Sequence, residues 1–177
     1  MFDKIINHTK SISEDWLMTS AERFFTIGLL ETLRPKRALE IGCRFGGFTR
    51  HLSRFCEQVD TVDMDPMIYE SCNDLQNVSP FNIMSDSFFC VNEQNYYDFC
   101  LIDGDHSRDG ARKDLINASK ICEIIIFHDT MNPECRSGYE DALNLIGREN
   151  LEYINLDIVL NSGIWGGLGM VVTKSNK

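Results

Sequence analysis

Basic residues are scarce in this sequence: Lys and Arg number 17 against 27 Asp and Glu, a formal net charge of −10. Such a surface repels phosphate backbones and anionic headgroups, which argues against nucleic acid and membranes as partners. The basic side chains that exist gather only in short runs, at Arg34, Lys36 and Arg37 and at Arg112 and Lys113. Long apolar runs are missing too. The longest lies near residues 121–127, far short of a bilayer crossing. Met1 to His8 lack the apolar core of a secretory leader, so a cytoplasmic location is expected. There are 7 cysteines but no Cys-x-x-Cys pair, which argues against a zinc site of paired thiolates. An odd count, with Cys100 and Cys122 inside apolar stretches, predicts buried free thiols in a reducing compartment. No repeat, low-complexity tract or Pro/Gly-rich linker interrupts the 177 residues, so one domain over 1–177 is expected.

What is present is an alternation of strand-like and helix-like segments. Hydrophobic residues make up 43% and charged residues 25%, a globular balance. Residues 1–19 read as a short helix and a polar connection, with Ser11, Ser13 and Glu14 as capping candidates. Phe24, Ile27, Leu30 and Leu33 recur at helical spacing from Ser20 until Pro35 stops them. Short apolar strands are predicted at 37–42, 58–63, 81–84, 98–103 and 122–128, with helices between them at 48–55, 66–75 and 108–119. A last helix is predicted over 138–148. Strands over 152–159 and 168–173 then flank a glycine-rich turn at 162–167. The fold class that follows is α/β: a Rossmann-like sheet of about seven strands, mostly parallel, with a C-terminal antiparallel hairpin and helices on both faces.

Four segments at strand ends carry the polar residues that chemistry needs. Glu40-Ile41-Gly42-Cys43-Arg44-Phe45-Gly46-Gly47 joins a strand to a helix, where glycine allows a tight turn and a close backbone approach to a ligand. Its Gly-x-x-x-Gly spacing is not the Gly-x-Gly-x-x-Gly of dinucleotide sites, and by itself it also suits an ordinary turn. About twenty residues on, Asp63 ends the second strand, where a carboxylate can accept from ribose hydroxyls; Asp65 before Pro66 reads as a turn or cap. Ile102-Asp103-Gly104-Asp105-His106-Ser107 and Phe127-His128-Asp129-Thr130 end the next two strands. Adjacent parallel strands bring Asp103 and Asp129 together, where they either share a divalent cation or cap helices.

In that order, these segments resemble the class I S-adenosylmethionine-dependent methyltransferases over roughly residues 35 to 145. Leu101 to Ser107, then Arg112-Lys113-Asp114-Leu115 and Phe127 to Thr130, resemble the subgroup called methyltransferase family 24. The resemblance implies that Glu40 and Gly42 line the methionine end of the cofactor and that Cys43 and Gly46 of the same turn are cofactor-binding. It implies that Asp63 holds the ribose, that Asp86 meets the adenine amine beside Ser85 and Met64, and that Asp103 lies near the transferred methyl. Asp103 and Asp129 match carboxylate ligands of metal-dependent relatives, implying Mg2+ or another divalent cation. Arg108 after His-Ser, Lys120 to Glu123 in place of a Gly-Gly, and Thr130 in place of an asparagine depart from the pattern.

The expected activity is methyl transfer to an oxygen of a small molecule such as a sugar or secondary metabolite, with His106 or His128 as base beside Asp103. Without a long lid insertion, acceptor selection falls to the N-terminal helices within 1–34 and to loops near Asn132 and Trp165. Trp16 and Trp165 are candidates for a lid or a homodimer contact. The rivals are a non-catalytic cofactor-binding module, a nicotinamide oxidoreductase disfavoured by the glycine spacing, and a metal-dependent hydroxylase using His106, His128 and Asp129 as a facial triad.

Overall fold

A computed structural model describes residues 17–156 and 165–174. The readings made above on Ser11, Ser13, Glu14, Trp16, residues 157–159 and the first half of the glycine-rich turn lie outside the described residues. The first described helix, α1 (Ser20–Leu33), starts from Thr19, which forms a reciprocal capping box with Glu22, and ends at Arg34 in the left-handed region. Its buried stripe is Glu22, Thr26, Ile27 and Leu30. Phe24 and Leu33, expected on that face, are exposed.

Then follow β1 (Arg37–Ile41), α2 (Thr49–Phe55), β2 (Gln58–Asp63), α3 (Ile68–Cys72) and β3 (Val78–Asn82). After these come α4 (Ser85–Val91), β4 (Tyr97–Ile102), α5 (Arg108–Ile121) and β5 (Cys122–His128). The chain continues with α6 (Pro133–Ile146), a 3-10 turn, β6 (Leu151–Asn155) and β7 (Leu168–Thr173).

Seven strands form one sheet in the order β3-β2-β1-β4-β5-β7-β6. The first five in sequence run parallel, while β7 lies antiparallel between β5 and β6, as the expected terminal pair. Strand order reverses between β1 and β4, so the crevice for a ligand opens at the carboxyl ends of those strands. Side chains alternate across the sheet. Leu39, Ile41, Cys100, Ile102, Ile125 and Phe127 pack with Leu115 and Tyr139 of α5 and α6. Ala38, Phe99, Leu101 and Ile126 face Ile27, Leu30 and Leu52 of α1 and α2 on the other side.

Several elements differ from the sequence reading, among them the helix predicted over 66–75, which spans Ile68–Cys72. The third strand lies at 78–82, not 81–84, because Pro80 sits in an edge strand that tolerates a missing N–H. Helix α4 occupies residues to which the sequence reading assigned no element. Helix α6 begins at Pro133, capped by Asn132, rather than at Gly138. Gly138 is instead the close approach of two helices: a β-carbon there would stand 2.4 Å from the Arg108 carbonyl oxygen. All seven cysteines are free, and all but Cys90 are buried. Among the described residues no helix is long and apolar enough to cross a membrane.

Candidate active site

The glycine turn after β1 is tied to both neighbouring strands. Gly42 N donates to the Val62 carbonyl at 2.9 Å, and Asp103 N donates to the Ile41 carbonyl at 2.8 Å. Gly42 has φ of +93°, and its missing side chain leaves room for the Asp103 backbone. Beneath the turn, Glu40 is buried and its Oε2 accepts from Thr49 Oγ1 at 2.5 Å and Thr61 Oγ1 at 2.7 Å. Burial holds its carboxyl well above the ordinary range, with the Cys43 and Asp103 charges adding to the effect and the two hydroxyls opposing it.

Asp63 closes β2 with its carboxylate directed back at the turn. Oδ2 accepts from Arg44 N at 2.7 Å and Oδ1 from Asp65 N at 2.8 Å. Each carboxylate oxygen keeps a lone pair for a ligand hydroxyl. A cavity of about 960 Å³ opens here. It runs from Met64, Met84, Ser85 and Asp86 at one end, past Glu40, Gly42, Cys43 and Asp63, to Asp103, His106, His128 and Asp129 at the other. Of the residues expected to hold the cofactor, Gly46 alone stands outside the lining. It turns the loop at φ +74° and packs on Ser71. Asp86 takes part in the first turn of α4, where Asn117 Nδ2 donates to it at 3.3 Å.

At the far end β4 and β5 bring four polar side chains together. His106 Nε2 lies 2.9 Å from Asp129 Oδ2 and 3.5 Å from Asp103 Oδ1. His128 Nδ1 lies 3.0 Å from the same Asp103 oxygen. The hydrogen bonds to Asp103 and Asp129 raise His106 to about 9, with burial working against them. Burial opposes the charge on Asp103, yet His128 and His106 outweigh it and hold that carboxyl down at about 2. Burial likewise opposes a charged His128, but Asp103, Glu22 and Asp129 lift it well above the ordinary range. Asp129 adopts φ of +58°, an uncommon conformation for a non-glycine residue and one found at constrained sites. Its buried Oδ1 has no hydrogen-bond partner. Donor atoms of Asp103, His106 and Asp129 lie within 4.8 Å of one another, a spacing that fits one cation. The two histidines differ in access: the His106 side chain is 42% exposed and the His128 side chain 4%. Leu17, Met18 and Trp165 wall this end, and the Trp165 ring meets the His106 ring edge-on at 5.7 Å. Asn132 is spent on capping α6, where it accepts from Glu134 N and Cys135 N.

Sequence reasoning passed over Glu22 and Asp114. Glu22 reads as a mere cap partner in Thr19-Ser20-Ala21-Glu22, yet it is fully buried behind His128. Asp114 interrupts the buried stripe of α5 formed by Ala111, Leu115 and Ala118, a signal that a periodicity count can find. It lines the cavity with one oxygen unpartnered.

The strand order and the crevice at its reversal define the Rossmann-like methyltransferase fold, and solved structures of that fold match this chain along most of its length. An O-methyltransferase from Bacillus cereus, in complex with S-adenosylhomocysteine, is 19% identical with a TM-score of 0.72, over 97% of this chain and 90% of that one. The O-methyltransferase TomG from Streptomyces achromogenes, involved in tomaymycin synthesis and in complex with S-adenosylmethionine, is 16% identical with a TM-score of 0.70, over 98% and 89%. The N-methyltransferase NodS from Bradyrhizobium japonicum, in complex with S-adenosylhomocysteine, is 16% identical with a TM-score of 0.64, over 98% of both chains. No family profile and no curated relative matches the sequence.

Proposed function

We propose that this chain is an S-adenosylmethionine-dependent methyltransferase that methylates an oxygen of a small molecule. The observation that carries the reading is one cavity with Glu40, Gly42 and Asp63 on one stretch of its wall and Asp103, His106 and Asp129 on the next. The fold's solved neighbours include O-methyltransferases holding this cofactor or its product.

The bound cofactor supplies a sulfonium methyl that is already activated toward a nucleophile. This chain's residues then have two tasks, to align the acceptor and to take its proton. Gly42 leaves the turn open for the methionine end, and Asp63 offers lone pairs to the ribose. Ser85 and Asp86, with the exposed Met64 and Met84, border the adenine end. At the other end His106 is the accessible histidine, since His128 is walled in behind the carboxylates; held at about 9, it takes a proton in its neutral form, toward alkaline pH. Asp103 and Asp129 stabilise the imidazolium that forms. Asp103, His106 and Asp129 also suit a divalent cation, because the Asp129 Oδ1 atom is buried without a hydrogen bond, with only His128 Nδ1 at 3.5 Å beside it. Such a cation, when bound, lowers the pKa of an acceptor hydroxyl. The segment leading into helix α1 brings Leu17 and Met18 to the acceptor end, consistent with acceptor selection by the N-terminal segment within 1–34.

Calorimetric titration with S-adenosylhomocysteine, with and without Mg2+ or Mn2+, tests the reading. Micromolar binding that is lost in Asp63→Ala is expected. Absence of binding under every condition overturns it. Binding without turnover across a panel of hydroxylated acceptors favours the non-catalytic module.

A further inference from the structure

Glu22 is fully buried in the first turn of α1 and belongs to neither the cofactor wall nor the cation set. As a cap, its Oε2 accepts from Thr19 N at 2.7 Å and from Thr19 Oγ1 at 2.8 Å. A cap requires nothing more. This carboxylate does more. Oε2 also stands 3.6 Å from His128 Nε2, and Oε1 accepts from Gly167 N at 2.6 Å, across 145 positions of sequence.

Both contacts lead into the site. His128 turns its other nitrogen, Nδ1, to Asp103 Oδ1. The segment holding Gly167 carries Trp165, whose ring packs on His106. The carbonyls of Gly166 and Gly167 accept from Met131 N at 2.8 Å and Thr130 N at 3.3 Å, the residues that follow Asp129. Burying a carboxylate is costly unless its partners have good geometry. Here the partners are the two structures that frame the acceptor end.

We propose that Glu22 is a positioning residue for the methyl-transfer site: one buried carboxylate fixes His128 against Asp103 and holds the 165–167 segment, with Trp165, over His106. The inference rests on reading the cavity as a methyl-transfer site, and its contacts are read independently of that.

The test uses the full chain, 15N-labelled and without cofactor, observed by amide exchange and histidine-ring NMR. In the wild type the Gly167 amide is expected to be strongly protected. Glu22→Ala is expected to speed its exchange by about tenfold or more and to shift the ring signals of His128 and His106. Glu22→Gln keeps an acceptor for Gly167 but loses the charge facing His128. It should restore the amide protection and leave the ring signals displaced. Thr19→Ala removes the cap alone and should move neither. Affinity for S-adenosylhomocysteine should stay within about threefold throughout, because Glu22 lies outside the cavity lining that carries Glu40, Gly42 and Asp63. An unprotected Gly167 amide in the wild type overturns the proposal even where a variant does not fold. So does a Thr19→Ala variant that reproduces the Glu22→Ala changes, since Glu22 would then be a cap only. Failure of the wild type to bind S-adenosylhomocysteine overturns the methyl-transfer role, while the cofactor-free signals still decide whether Glu22 makes both contacts.

Discussion

A β-carbon placed on Gly42 would stand 2.1 Å from the backbone oxygen of Asp103. The turn proposed to meet the cofactor and the strand end that bears the Asp103 carboxylate are therefore in backbone contact. Gly42→Ala adds that clash to a φ of +93°. It should cost at least about 2 kcal/mol and open the turn away from β4. Gly28, in the middle of α1, has nothing within 4 Å of a β-carbon. Gly28→Ala should stabilise by about 0.5–1 kcal/mol. Urea denaturation of both variants checks the contrast, and equal effects would disprove it.

At the opposite end of the sheet, Asp60 is buried beneath two partners. Arg37 Nη2 donates to its Oδ2 at 2.8 Å and Tyr97 Oη donates to the same oxygen at 2.6 Å. The Arg37 guanidinium also lies over the Tyr97 ring, 4.7 Å from its centroid. Asp60→Ala should cost about 2–4 kcal/mol, the lower part of the range for a broken buried pair because Arg37 is partly exposed. Its affinity for S-adenosylhomocysteine should be unchanged. A loss of affinity larger than the loss of stability would mean that the two ends of the sheet are coupled.

How much of this was legible beforehand follows from where each signal resides. Gly42, Asp63, Asp103 and Asp129 all stand at strand ends marked by a change from apolar to polar residues, so their convergence could be read from strand order alone. Pro80 and Gly138 misled for the same kind of reason. Each looks like a breaker locally, and each is accommodated by its tertiary setting, an edge strand in one case and a tight helix crossing in the other. Glu22 was invisible because its contacts to Gly167 and His128 are long-range, and no local pattern records them.

The cation set makes its own prediction. Asp103, His106 and Asp129 combine two carboxylates with an imidazole, a donor mix that suits Mn2+ or Co2+ better than Mg2+. At a hundredfold excess over Kd, Mn2+ should stabilise the fold by about 2.7 kcal/mol, which is about 5–10 °C in Tm for a chain of this size. At the same concentration Mg2+ should do less, because its Kd is higher, and Asp129→Asn should abolish the shift. Equal shifts in the wild type and Asp129→Asn would place any bound cation elsewhere.

Asp114 gives the pH prediction. Burial, joined by the charges of Asp86 and Asp105 and opposed by a hydrogen bond with Ser85, raises its carboxyl to about 6. In the unfolded chain an aspartate titrates near 3.9, so between roughly 4 and 6 the folded state keeps a proton that the unfolded state releases. The native state binds more protons in that window, so stability falls as pH rises through it. Above about 6 the cost is fully present, at roughly 3 kcal/mol for two pKa units. Asp114→Asn removes the ionisation. The variant should exceed the wild type by about 2–3 kcal/mol at pH 7.5, by less at pH 5, and by nothing attributable to charge below pH 4. Urea midpoints at those three values measure the difference. A gap that stays constant with pH would show that the Asp114 carboxyl titrates alike in both states, and its burial in α5 would then need another compensation.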